Sequence, residues 1–466
     1  MKNKIFYIAL IILTVMVLAF PVAQQYGKYF ELKPLKGVTV ATVQPVFSLK
    51  TFMSGAYQAQ EDKYLSENIG FREVFIRSYN QMTWSLFRKT QNKTIFINKD
   101  NWIFNDFTIK HHYGQSMYDF RSTKEAMLAK MQSDARMLAL LQNVLKEYGV
   151  TCFVCLAPGK DMVCAEHVPE VKGFTRPPGI RAIDYYPHVF DSLGINYIDF
   201  QKYYMEIKDT VSYPLYLKSS SHYSQQASVY AADTLFRYME ELSGLNIHNI
   251  CIGEEYVAPT RYPDADLEDL MNLLWPIETD VSHYVKTRAD NDPTAVKPKW
   301  FSVGDSYYEL FMYSLPLDSY FATHHYWYYN KIVYNDPPHH DVQEVDILKE
   351  LLSSDIVMII YSPTNLFDIN RRFLTRSLFE LLYDDNVVAE KLENVKQRIK
   401  GSQKWYASIQ QKAVNKGVAE EVALNDEASY ILYSEPDKYF DELQSVDVPS
   451  CRNSRVAKVL EEINNQ

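Results

Sequence analysis

The chain has 466 residues, with 48 Lys+Arg against 58 Asp+Glu, so its formal charge is −10. At 47% apolar and 23% charged residues it is composed to fold rather than to stay disordered. The acidic balance excludes a general nucleic-acid binder, which needs a basic face.

Ile5 to Ala23 form an uncharged run behind Lys2 and Lys4. As a helix, such a run spans roughly 28 Å, close to the ~30 Å hydrocarbon core of a bilayer. The lysines keep its start in the cytoplasm. Pro21 to Gln25 offer a poor cleavage site, so residues 1–24 are expected to remain as an anchor. The chain is therefore expected to cross the membrane once, with the remainder sent outward. Residues 25–105 read as a linker and helical lead-in. Tyr57–Thr90 has helical spacing, and Thr94–Phe104 is strand-like with a turn at Asn98–Asn101. A helix follows over Ser122–Tyr148, opened by the capping-box pair Ser122 and Glu125.

Short apolar runs then alternate with helical patterns. The expected strands are Val150–Ala157, Ile195–Phe200, Trp300–Val303 and Ile356–Tyr361. The expected helices are Ile180–Leu193, Ser224–Ser243, Tyr307–Ser314 and Val342–Leu352. That alternation predicts an α/β domain over 106–369, with a mainly parallel sheet flanked by helices. Residues 370–466 are charged and helix-rich, and read as a separate C-terminal helical region.

Cys152 and Cys155 form C-x-x-C inside an apolar strand-like run, which puts the thiols on opposite faces and disfavours pairing. They are expected in the core. His324, His325, Asp336, His339, His340 and Asp341 cluster in sequence, but their spacing fits no zinc signature, and no metal is expected.

Two segments carry possible chemistry. Val303-Gly304-Asp305-Ser306-Tyr307 ends a strand-like run and opens a helical one. A serine there stands at the carboxyl edge of a sheet, where helix-start N–H groups can stabilise an oxyanion, with Gly304 and Asp305 shaping the turn. Alone, Gly-Asp-Ser is weak and reads first as an ordinary turn with an N-capping serine. His222 lies just ahead of the helix that Ser224 caps, and the helix dipole favours its neutral, basic form. Alone, it is an ordinary loop histidine.

Taken in order, these segments resemble the alginate O-acetyltransferases and related bacterial polysaccharide acetyltransferases with an SGNH-hydrolase-like domain. Gln58–Arg72 and the following Ile95-Phe-Ile-Asn-Lys-Asp-Asn-Trp102-Ile-Phe are similar to the family's helix and hairpin lead-in. Leu156-Ala-Pro-Gly-Lys160 looks like its strand ending in P-x-K, and Tyr216-Leu-Lys-Ser-Ser-Ser-His222-Tyr like its histidine segment. Val303–Tyr307 resembles the nucleophile turn, and Asp355–Ile360 with Asn365-Leu366 the last strand.

The resemblance implies an SGNH-hydrolase-like fold, Ser306 as nucleophile and His222 as its base. It also implies no cofactor, the acetyl group being delivered by a multi-pass membrane O-acyltransferase, and an exported polysaccharide as acceptor. The membrane it implies is the inner (cytoplasmic) one, with the bulk of the chain on the periplasmic or outer side. Where the family has an aspartate two residues before the histidine, this chain has Ser220. Where it has Glu-Arg before Asn-Leu, this chain has Pro363-Thr364. Asp336 and Asp341 are the candidates to supply the missing charge. Tyr307, Tyr326, Tyr328 and Asn365 are expected to line a sugar groove, which would account for the chain's 36 tyrosines. Two alternatives stand beside the transferase: an O-acetylesterase using the same pair, and a non-catalytic glycan-binding or scaffold protein.

Overall fold

The computed structural model describes residues 2–37, 42–114, 123–171, 173, 181–277, 282–334, 337–446 and 453–465. In chain order the elements begin with helices α1 (Lys2–Gly27), α2 (Leu49–Met53), α3 (Ala56–Asn68) and α4 (Arg72–Phe87). Strands β1 (Ile95–Ile97) and β2 (Ile103–Asn105), helices α5 (Asp106–His112) and α6 (Lys124–Glu147), strand β3 (Thr151–Leu156) and helices α7 (Lys160–Val163) and α8 (Ala182–Leu193) follow. Next come β4 (Tyr197–Asp199), α9 (Phe200–Ile207), α10 (Gln225–Ser243), β5 (Ile250–Val257), α11 (Asp266–Asp269) and β6 (His283–Ala289). Then follow β7 (Lys299–Gly304), α12 (Glu309–Ser314), β8 (Thr323–Tyr328), β9 (Ile332–Val333), β10 (His340–Asp341), α13 (Ile347–Ser353) and β11 (Ile356–Tyr361). Helices α14 (Phe373–Leu382), α15 (Asp385–Gly401), α16 (Gln403–Lys416), α17 (Glu420–Tyr433), α18 (Phe440–Gln444) and α19 (Ser454–Asn464) complete the chain.

The chain forms two compact units. One comprises residues 1–105, 218–220 and 265–280; the other comprises 106–217, 221–264 and 281–466. In the first, α1 is the one helix among the described residues long and apolar enough to cross a membrane. The single helix expected over Tyr57–Thr90 is two: Ile69 and Gly70 interrupt it, and Phe71 takes φ 62°. β1 and β2 pair antiparallel across the Asn98–Asn101 turn, with Asn101 at φ 65°. Trp84 of α4 packs into a small core with Ile95, Ile103, Leu267, Met271 and Ile277.

The second unit is α/β. Its seven-stranded sheet runs β10-β9-β8-β7-β11-β3-β4, parallel from β8 to β4 with β9 and β10 antiparallel at one edge. The central strand β11 reads Ile-Val-Met-Ile-Ile-Tyr and is buried at every position, because helices cover both faces of a parallel sheet. All four expected strands are present, as β3, β4, β7 and β11. Helix α6 is capped by Thr123, whose hydroxyl accepts from the Ala126 N–H. Ser122 and Ile180, expected at helix starts, lie outside the described residues. The sheet core continues into Val395, Ile399, Leu424 and Leu432 of the C-terminal helices.

Cys152, Cys155 and Cys164 are buried free thiols, and burial pushes those of Cys152 and Cys164 up to about 12. Cys451 lies outside the described residues. His324 and His325 stand on β8, the first bonded to Asp318 (3.1 Å) and the second to Glu350 (3.0 Å). His339 stacks on Tyr334, and His340 Nδ1 lies 3.2 Å from the Pro338 carbonyl.

Candidate active site

The carboxyl ends of β7, β11 and β3 converge, as in any parallel sheet whose crossovers return on its faces. β7 ends at Gly304. A Cβ there would fall 2.0 Å from the Ile360 carbonyl oxygen of the neighbouring β11, so only glycine permits this approach. The Asp305 N–H donates to that same carbonyl (3.1 Å), bending the chain away from the sheet. The bond also occupies the Asp305 N–H, so Asp305 shapes the turn and is no oxyanion donor. Ser306 follows, with its N–H engaged by no group among the described residues. Its carbonyl accepts from the Glu309 N–H (3.1 Å) as α12 begins.

The Asp305 carboxylate is buried and does structural work in that turn. Oδ2 accepts from the Ser362 N–H (2.9 Å), the Ser362 hydroxyl (2.7 Å) and Asn365 Nδ2 (2.8 Å). Oδ1 accepts from the Tyr307 N–H (3.2 Å). The turn after β7 is thereby tied to the loop after β11.

His222 arrives from 84 residues away in sequence. A bridge between Tyr216 and Tyr223 pinches the base of its loop, and the Ser224 N–H donates to the Leu215 carbonyl (2.8 Å). Ser224 then caps α10, its hydroxyl accepting from the Ala227 N–H (3.1 Å). The segment after β3 holds the loop from below. The Tyr216 hydroxyl donates to the Pro158 carbonyl (2.8 Å), and Lys160 Nζ to the Leu217 carbonyl (3.0 Å). These supports place His222 Nε2 2.8 Å from Ser306 Oγ.

Accepting the Ser306 proton at Nε2 requires the tautomer protonated at Nδ1. Nδ1 faces the Ser221 hydroxyl at 3.1 Å. The Tyr307 ring lies 5.1 Å from the imidazole, and its hydroxyl donates to the Ser221 carbonyl (3.1 Å). Tyr307 therefore braces the histidine loop.

The other expected residues fall differently. Ser220 is fully buried among residues of the first unit, next to Ser219, whose carbonyl accepts from the Leu267 and Glu268 N–H groups. Asp341 is exposed on β10, and its carboxylate caps the Gln343 N–H (2.9 Å) rather than meeting His222. Asp336 lies outside the described residues.

Tyr326 has no exposed surface, and its hydroxyl donates to the Asp305 carbonyl (2.5 Å), so it supports the turn and offers a sugar no face. Asn365 spends its amide on Asp305, on the Tyr329 hydroxyl (3.0 Å) and on Ser362 (3.1 Å), and accepts from Arg371 (3.2 Å). It too is a strut. Tyr328 is half-buried and packs against Tyr329 and Tyr334, and burial pushes its hydroxyl up to about 12.

Two features were not read from the sequence. One is the Ser362–Asn365–Tyr329–Arg371 lattice around Asp305, with Arg371 stacked over the Tyr329 ring. The other is Glu309, buried one turn beyond Ser306. Burial pushes its carboxyl up to about 7, against the opposing pull of the nearby His222. Its place three residues after Ser306 was visible in the sequence; its burial was not.

The arrangement is a serine hydroxyl bonded to an oriented imidazole at a strand-to-helix turn. Its chemical competence is nucleophilic acyl transfer. No protein-family model matches the chain, and no curated protein matches it. Among solved structures it is similar to the O-acetyltransferase domain of Pseudomonas putida AlgJ, with 16% identity over 59% of this chain and 92% of that one, at a TM-score of 0.41. Pseudomonas aeruginosa AlgX gives 12% identity over 59% and 67%, at a TM-score of 0.38. Bacillus cereus PatB1, solved with a sulfonyl adduct, gives 12% over 60% and 99%, also at 0.38.

Proposed function

We propose that the protein is a serine-dependent O-acetyltransferase that places acetyl groups on an exported polysaccharide. The observation that carries this reading is the 2.8 Å contact between His222 Nε2 and Ser306 Oγ at the end of β7. As Ser306 Oγ attacks the carbonyl carbon of an acetyl donor, its proton passes to Nε2. The resulting oxyanion faces the uncommitted Ser306 N–H. Collapse expels the donor's leaving group, which takes the proton from His222, and leaves an acetyl ester on Ser306. A sugar hydroxyl then gives its proton to His222 and attacks the ester, and Ser306 Oγ departs with that proton. The Ser221 hydroxyl at Nδ1 keeps the imidazole oriented through both halves.

In this reading α1 anchors the protein in the inner membrane, with the site on the periplasmic or outer face. A multi-pass membrane O-acyltransferase supplies the acetyl group, and no cofactor of the protein's own takes part.

The test is incubation of the purified full chain with 4-nitrophenyl acetate, followed by peptide mass spectrometry. One acetyl group is expected on the Ser306 peptide, absent in Ser306→Ala and strongly reduced in His222→Ala. Equal labelling of the wild type and Ser306→Ala would refute the assignment. Release of acetate to water at the same rate with and without a glycan acceptor would make the protein an esterase instead.

A further inference from the structure

Helix α4 has two apolar faces, and the fold uses one. Trp84 and Thr83 are buried, with Trp84 seated in the small core of its unit. On another face Phe75, Tyr79, Met82 and Leu86 recur at helical spacing, a continuous stripe that is 52, 54, 51 and 68% exposed. Single exposed apolar residues need no explanation; a stripe of four large ones does.

What covers it is indicated by where the helix begins. The Phe71 ring lies 6.3 Å from Phe20 of α1 and 5.8 Å from Phe30. A Cβ on Gly70 would fall 2.1 Å from the Pro21 carbonyl oxygen, so the chain entering α4 rests directly on the end of α1. The exposed Tyr26 and Tyr29 lie at that same end, where aromatic rings gather at membrane interfaces. Charge points the same way. Residues 72–93 hold five basic side chains (Arg72, Arg77, Arg88, Lys89, Lys93) and one acidic (Glu73), a local excess of 5 − 1 = +4 in a chain of net −10.

We propose that the Phe75–Leu86 face of α4 lies in the headgroup region of an anionic bilayer, a second membrane contact beside the α1 span. An apolar stripe with basic residues around it is the composition of a helix lying in the interface plane. At ~1.5 Å per residue the helix extends roughly 24 Å, enough to hold the chain that follows it close to the membrane surface. The proposal rests on α1 being a membrane span, which carbonate extraction reads separately.

The experiment uses the full chain with Cys251 and Cys451 changed to serine, carrying Met82→Cys, Leu86→Cys or, as control, Lys63→Cys on the exposed side of α3. Each is labelled with the environment-sensitive fluorophore NBD and reconstituted into vesicles of phosphatidylcholine with phosphatidylglycerol. The labels at 82 and 86 are expected to shift to the blue and to be quenched several-fold more than the label at 63 by lipids bearing a headgroup-level nitroxide. The effect should weaken in pure phosphatidylcholine. Equal, water-like signals at all three positions would overturn the proposal. So would protection of 82 and 86 only when a partner protein is added, which would make the stripe a protein interface, and so would loss of the protein from vesicles in carbonate.

Discussion

Replacing Asp305 with asparagine asks whether the turn that carries Ser306 is held by charge. The carboxylate takes three donors at Oδ2, between 2.7 and 2.9 Å, and a fourth, the Tyr307 N–H, at Oδ1. An amide nitrogen in the Oδ2 position would face three donors, so the side chain will turn its oxygen there and strand the Tyr307 N–H. Bonds to a charged acceptor contribute ~1.5–3 kcal/mol against ~1 for neutral ones. Losing about 1 kcal/mol at each of three bonds, with ~1–2 more for the stranded donor, gives a destabilisation of roughly 4 kcal/mol. At roughly 2 °C per kcal/mol for a chain of this size, the Tm should fall by about 8 °C. Ser306 should also lose its aim at His222, slowing acetylation by 4-nitrophenyl acetate on the order of a hundredfold. Thermal denaturation and labelling rate, measured on the same preparation, test both. An unchanged Tm together with an unchanged rate would refute the reasoning.

Two further outcomes follow from the same region. Gly304→Ala places a methyl group against the Ile360 carbonyl, and parting β7 from β11 should cost about 3 kcal/mol or more. Gly401→Ala, at the end of α15 with nothing near its Cβ, should be neutral or mildly stabilising, so chemical denaturation of the pair separates packing from helix propensity. Glu309→Gln should change the pH dependence of stability. The carboxyl sits near 7 in the folded chain against 4.5 unfolded, so its contribution is fully present below pH 4.5 and lost as pH rises toward 7. Gln cannot ionise, so the variant should match the wild type at pH 4 and exceed it at pH 8 by up to roughly 3 kcal/mol, as read by urea denaturation.

What the sequence determined by itself was local. Ile356–Tyr361 announces a strand because every position is apolar, which a strand covered on both faces requires. Ser224 announces a helix start because its hydroxyl answers a need of the backbone two to three residues away. Ser306 and His222 stood out for similar reasons, one at a strand-to-helix turn and the other ahead of a cap. The strands β5, β6, β8 and β10 escape the sequence because polar residues, such as His324 and His325, break the patterns that mark a strand, and β9, the apolar pair Ile332–Val333, is too short to form a pattern.

Only tertiary structure decided which groups meet. The 2.8 Å contact closes a separation of 84 residues, and it depends on the Pro158 carbonyl, Lys160 and Tyr307, none of which neighbours His222 in the chain. Tyr326 and Asn365 carry the residue types of a sugar groove, yet burial assigns the first, and hydrogen bonds to Asp305, Tyr329 and Ser362 the second, to the scaffold of Asp305. Asp341 has the charge that a triad needs and spends it on a neighbouring N–H. Residue type states what a side chain can donate or accept; which partner takes it is settled by the packing of distant segments, and that is a property of the whole fold.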